Sequence, residues 1–351
     1  MRPISAVLLA SAALAVSACP SKPAEQPPSP PPVAAVVPKA VSNPLCVGKF
    51  ESAPEEKIEI AGKSYVRKGS TLTQETVDAD DEFVIGQISD IKDHTPENAA
   101  NLQLAFDWMK GEKVDAIALT GDLGESAESV QRVLEDAAAT GLPVLAIVGN
   151  RECAKHFDDG VKAAQLKFKN VINLNKVRVL NFDDLSIVSM PGYFNKSYIH
   201  CAEGCEYTAD DVKNLPELAK ATTAPVRMLI SHGPPLQAGP LAIDRIHEGA
   251  NVGDPALSEV MKGGLFAFGM FGNIQEAGGY ATNLAGDVRV APETYADNLY
   301  VNPGPIDSVR WVMLDSSESV GMAGIVHVKG KQAQYKIKRI KPGEAKVPAA
   351  K

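Results

Sequence analysis

"IGQISDIKDHT", residues 85–95, is an apolar run that closes abruptly on Asp90, Lys92, Asp93 and His94, with Thr95-Pro96 placed as an N-cap and a first-turn proline. A buried strand that ends in charge and passes at once into a helix is a βα unit, and polar groups in such sheets gather at the carboxyl ends of the strands. Ala99, Leu102, Phe106 and Met109 then recur at helical spacing. "VDAIALT" (114–120) ends in Gly121-Asp122 and leads to a helix near residues 126–140. "PVLAIVG" (143–149) ends in Asn150 and leads to another. Three repeats of strand, loop and helix predict an α/β domain with buried strands.

The second half changes character. "VRVLNFDDLSIVSMPG" (177–192) reads as a hairpin, and "VRMLISHG" (226–233) and "GLFAFGMFGN" (264–273) as strands ending in polar loops. "WVMLD" (311–315), "MAGIVHV" (322–328) and "QAQYKIKRI" (332–340) read as a closing meander. No solenoid-type repeat is present. One domain over residues 45–341, with a flexible tail at 342–351, is the simplest organisation.

The residues before it have another composition. Arg2, the apolar run 6–16 and the small residues Ser17 and Ala18 read as a secretory signal over 1–18. Ending in "VSAC", this segment resembles a bacterial lipoprotein signal, which implies lipidation at Cys19 and a place in the cell envelope, anchored to a bacterial membrane on its periplasmic or outer side. Residues 19–44 are Pro-rich and lack apolar periodicity, as expected of an extended tether. The net charge of −8 disfavours a nucleic-acid partner, since phosphate-backbone binding rests on a surplus of Lys and Arg. With Cys19 assigned to lipid, Cys46, Cys153, Cys201 and Cys205 remain. An even number in an oxidising compartment predicts disulfides, and the near pair in "CAEGC", Cys201 with Cys205, is the expected bridge.

Five strand-end loops stand in order: "SDIKD", "TGDLGES", "VGNRE", "ISHGPP" and "FGNIQEAGG". They supply Asp90, Asp122, Asn150 and His232, oxygen and imidazole donors suited to divalent ions. Singly, an Asp at a strand end is more often a cap or turn former. Taken together, the loops resemble those of the calcineurin-like metallophosphoesterases, whose loops read D-x-H, G-D-x-x-D/E, G-N-H-D/E, S/G-H with following prolines, and G-H-x-H. The resemblance implies two mixed β-sheets packed as a sandwich flanked by helices, four layers in all, and phosphoric ester hydrolysis at a two-metal site. Asp90 would bind the first ion, Asp122 would bridge both, and Asn150 and His232 would bind the second.

Four expected histidines are replaced. Lys92 stands in the first loop, Arg151 at the position of the leaving-group histidine, and Asn273 and Gln275 in the last loop. The first ion would keep only Asp90 and Asp122, with an ammonium that has no lone pair beside them. The second would keep Asp122, Asn150 and His232, with a carbonyl oxygen from Asn273 in addition. One ion of Mn, Fe or Zn, or none, is therefore expected. Lys92 and Arg151 could instead form an anion-binding pair. Two readings follow: a membrane-tethered phosphoesterase of weakened or altered activity, or an inactive envelope lipoprotein binding an anion or a partner. The ligand in either case would be a phosphate-containing small molecule or an envelope component. His156, His200, His247 and His327 lie in no motif.

Overall fold

The computed structural model describes residues 43–347. The predicted signal, Cys19 and all but the end of the Pro-rich stretch lie outside the described residues. Described residues all fall within one compact unit, Ala40–Lys351. No helix among them is long and apolar enough to cross a membrane.

Two mixed sheets carry the domain. In the six-stranded sheet, Glu82–Ile88, Ala116–Leu119, Val144–Ala146 and Val171–Asn173 run parallel side by side, and the hairpin Met322–Lys329/Gln332–Arg339 adds antiparallel to Glu82–Ile88. The ten-stranded sheet is centred on four strands, Leu185–Met190, Val226–Ser231, Phe268–Met270 and Leu299–Asn302, which are parallel to one another. One hydrophobic core takes residues from both sheets and from the helices. Gln87 Nε2 crosses it to the carbonyl of Phe271 at 2.8 Å.

The helices after the first three parallel strands form where the sequence pattern places them, whereas Ala209–Lys213, Leu215–Ala219 and Pro255–Lys262 were not expected. Pro96–Gly111 starts on Thr95, whose hydroxyl accepts from the Asn98 amide at 3.1 Å. Ala127–Ala138 starts on Ser126 and buries Val130, Val133, Leu134 and Ala137. Burying each of the larger of these side chains is worth about 1.5–3 kcal/mol. The predicted hairpin is present as Val179–Asn181 and Leu185–Met190, paired antiparallel. Three N-terminal strands, Glu55–Ile60, Lys63–Lys68 and Thr71–Gln74, extend the larger sheet and were not expected from the sequence.

The predicted Cys201–Cys205 bridge is corrected. Cys46 is bonded to Cys205 and Cys153 to Cys201, with Cα separations of 5.2 and 5.3 Å. Gly204 N returns to the carbonyl of Cys201 at 2.9 Å, so "CAEGC" closes a tight turn whose two cysteines part company. Cys201 meets Cys153 at the start of helix Ala154–Lys167, while Cys205 turns inward beside Gly192 to reach Cys46.

Candidate metal centre

Every loop of the site leaves the carboxyl end of a strand, and several do so through an unusual backbone. Asp90, Lys92, Asp122 and Asn273 hold φ of 55°, 66°, 57° and 63°, the left-handed region that non-glycine residues seldom enter. Such turns cluster where a fold must aim side chains at one point. Close approach requires glycines as well. A Cβ on Gly149 would collide with the Asp122 carboxylate, and one on Gly272 with Ser89 Oγ.

The predicted donors converge. Ligand atoms of Asp90, Asp122 and His232 lie within 4.8 Å of one another, and all three residues are buried. Asn150 joins them, its Oδ1 2.8 Å from His232 Nε2. Two contacts fix which atoms face inward. The Asn150 amide nitrogen donates to the Tyr198 carbonyl at 2.6 Å, leaving Oδ1 for the site, and His232 Nδ1 lies 2.8 Å from the Thr120 carbonyl, leaving Nε2. A histidine held by a carbonyl through its far nitrogen is the usual orientation for a metal ligand.

Electrostatics follow from burial and crowding. Desolvation raises the Asp90 carboxyl above its ordinary range. Burial opposes the charge on Asp122 too, but the His232 ring prevails and holds that carboxyl low. For His232 burial disfavours the imidazolium, yet the Asp122 carboxylate 3.3 Å from Nε2 outweighs it and pushes the ring up to about 10.

The two halves of the site differ in what they can hold. At the second position Asp122, Asn150 Oδ1 and His232 Nε2 present donors with Asp90 within reach, a set that fits one divalent ion. At the first position the replaced side chains turn to other partners or donate. Lys92 extends to Asp307, Nζ to Oδ2 at 2.9 Å, and its ammonium sits 5.0 Å from the Trp311 ring centroid. Gln275 offers a donor, not an acceptor, to Asp90 Oδ1 at 3.5 Å, and Asn273 gives its backbone amide to Asp90 Oδ2 at 3.0 Å. The Asn273 side chain is hydrogen-bonded with the Tyr193 hydroxyl. Of the expected ligands at the first position, the Asp90 and Asp122 carboxylates remain.

Lys92 and Arg151 are not joined as an anion-binding pair; each already has its own carboxylate. Arg151 Nη2 lies 2.5 Å from Glu125 Oε1, while its Nε is buried and unpartnered. His94 is turned away, with Nε2 2.7 Å from Asp136 Oδ2.

Residues with no part in the sequence reading complete the centre. Glu152 is wholly buried and accepts from the amides of Leu123 at 2.5 Å and Gly149 at 2.9 Å, bracing two of the loops. Burial first, and then the Asp122 charge, push its carboxyl up to about 7. The acidic residue in "VGNRE" was its one visible signal. Asp307 lies in "NPGPIDS", residues 302–308, and Trp311 just beyond it, where a proline turn hides their role.

No curated protein matches the sequence significantly. Among solved structures, one at 12% identity matches over 74% of this chain and 100% of its own, with a TM-score of 0.50. GAP50, the anchor in the inner membrane complex of Plasmodium, is 11% identical over 76% and 87% at 0.45, and a dimetal phosphatase from Danio rerio is 11% identical over 74% and 99% at 0.42. At 12% identity the first of these likenesses is one of fold alone. Residues 83–257 match the family model of the calcineurin-like phosphoesterases, and through this segment, which carries four of the five loops, the chain belongs to that family.

Proposed function

We propose that the protein holds one divalent ion on Asp122, Asn150, His232 and Asp90 and acts there as a weak phosphoric ester hydrolase, tethered to a bacterial envelope through a lipid on Cys19. The asymmetry of the site supports this most: the second position keeps its oriented donors, whereas at the first Lys92 is turned to Asp307 and Gln275 donates to Asp90. An ion there would supply Lewis-acid polarisation of a phosphoryl oxygen. Lys92, two residues after Asp90, is paired with Asp307. Glu152 holds the Asp122 and Asn150 loops in register through the Leu123 and Gly149 amides.

Arg151 limits the chemistry. A guanidinium stays protonated at any physiological pH, so it cannot pass a proton to a departing alkoxide. Esters of acidic alcohols, such as phenols, leave without one. The preferred substrates are therefore activated phosphoric esters among small molecules or envelope components, and the net charge of −8 weighs against nucleic acid.

Metal analysis with turnover of an aryl and an alkyl phosphate tests this. One Mn, Fe or Zn per chain, with aryl turnover lost in Asp122→Ala, is expected. Protein that takes up no ion on supplementation and turns over neither ester would overturn it. A second reading, binding without hydrolysis, is favoured by the missing proton donor; stabilisation by phosphate esters with one ion bound and no turnover would establish it instead.

A further inference from the structure

We propose that the Cys153–Cys201 disulfide is a positioning element for Asn150, and so sets the affinity of the centre for its ion; the ion is that of the proposed function. An asparagine ligates through its carbonyl oxygen only, and a free amide can rotate to present its NH2 end. Here the loop 195–201 decides which end faces inward. The Tyr198 carbonyl takes the Asn150 Nδ2 hydrogen at 2.6 Å, and the His200 amide donates to the Asn150 carbonyl at 2.9 Å. One loop thus grips both the side chain and the main chain of one ligand.

Otherwise the loop is held by turn hydrogen bonds within itself and by an edge contact of the Tyr198 ring with Tyr193, centroids 6.4 Å apart. Its short helical turn Lys196–Tyr198 has no buried residue, and Tyr198 is 53% exposed. The disulfide fastens the loop next to the ligand it grips, because Cys153 lies three residues after Asn150 and Cys201 three residues after Tyr198. Beyond the disulfide, Ala154 N reaches the Glu203 carbonyl at 3.1 Å, and Tyr193 N reaches that of Cys205 at 2.8 Å. Those bonds hold the far end of the segment and would keep Cys205 in place even without Cys46. The two disulfides therefore differ in role. Cys46–Cys205 closes a separation of 159 residues and Cys153–Cys201 one of 48, so the first constrains the unfolded chain more.

The test compares Cys153→Ser/Cys201→Ser with Cys46→Ser/Cys205→Ser in the full chain. Side-chain amide exchange of Asn150, read by NMR in metal-free protein, should speed up about tenfold or more in the first variant and stay at the wild-type rate in the second. Calorimetry with Mn or Zn should show affinity about 10–100-fold weaker in the first variant alone. Thermal melting should run the other way, with the second variant losing more. Unchanged Asn150 exchange in the first variant, or losses in both that simply follow the fall in Tm, would overturn the proposal. If wild-type protein binds no ion, the proposed function fails, and the exchange measurement still decides this inference. Should the first variant not fold, a phosphine that is oxidised as it cleaves the disulfide to two thiols, applied to folded Cys46→Ser/Cys205→Ser protein, gives the same readout.

Discussion

Lys92 Nζ lies 2.9 Å from Asp307 Oδ2, joining the first loop of the metal centre to the segment that follows the strand Leu299–Asn302. Both side chains are largely buried, at 17% and 7% exposure. Removing one partner strands the other's charge in a poorly solvated place. Lys92→Met and Asp307→Asn should each destabilise the protein by about 1–3 kcal/mol. The double variant should lose less than the sum, because neither charge is then left alone. Denaturant melts of the four proteins read the coupling. Strict additivity would mean that the pair contributes nothing.

In the proposed function, Arg151 occupies the place of a proton donor that it cannot be. Arg151→His should restore that function and raise turnover of an alkyl phosphate by about 10²–10⁴, the usual yield of general acid catalysis. Aryl phosphate turnover should change far less, since a phenolate needs no proton. Steady-state rates on the two esters give the ratio. An equal gain on both would place the effect of Arg151 in binding, not in leaving-group departure.

Much of this centre was legible in the sequence because each loop is a local pattern: apolar run, polar turn, helix. Asp90, Asp122, Asn150 and His232 meet as those patterns imply, and Thr95 caps its helix. What the sequence concealed is non-local. Nothing near Lys92 points to Asp307, and spacing alone misassigns the cysteines because a turn at Gly204 sends Cys201 and Cys205 to different partners. The hairpin Glu55–Ile60/Lys63–Lys68 was hidden by its charge, for much of its first strand is exposed. Its two-residue turn, Ala61-Gly62 with φ of 50° and 76°, was the available signal.

Gly149 allows the third loop to lie against Asp122. A methyl group at Gly149 would collide with the Asp122 carboxylate and its backbone amide. That carboxylate accepts from the amides of Asn150 and Arg151, each at 3.0 Å, so it cannot withdraw without loosening the loop that carries Asn150. Gly149→Ala should cost about 1–3 kcal/mol in stability, the range for overpacking, and weaken ion binding as well. Calorimetry and thermal melts check both. Wild-type ion affinity in this variant would show that the contact is not needed to hold the ligands.

His94 answers to pH rather than to metal. Its Nε2 lies 2.7 Å from Asp136 Oδ2, tying the first loop to the helix Ala127–Ala138. Hydrogen bonding to Asp136 raises the imidazole above its ordinary value of 6.5, with burial opposing. A folded-state value above the unfolded one means that the imidazolium is favoured by folding. The stabilisation is therefore fully present below about pH 6.5 and is lost as pH rises through the raised folded value. Because Asp136 is 44% exposed, solvent and salt screen the pair, and its worth is at most about 1 kcal/mol. The difference in Tm between wild type and Asp136→Asn should be largest near pH 5.5–6, shrink toward pH 9, and diminish in high salt. A difference independent of pH would show that this contact holds through a neutral hydrogen bond and that His94 carries no charge in it.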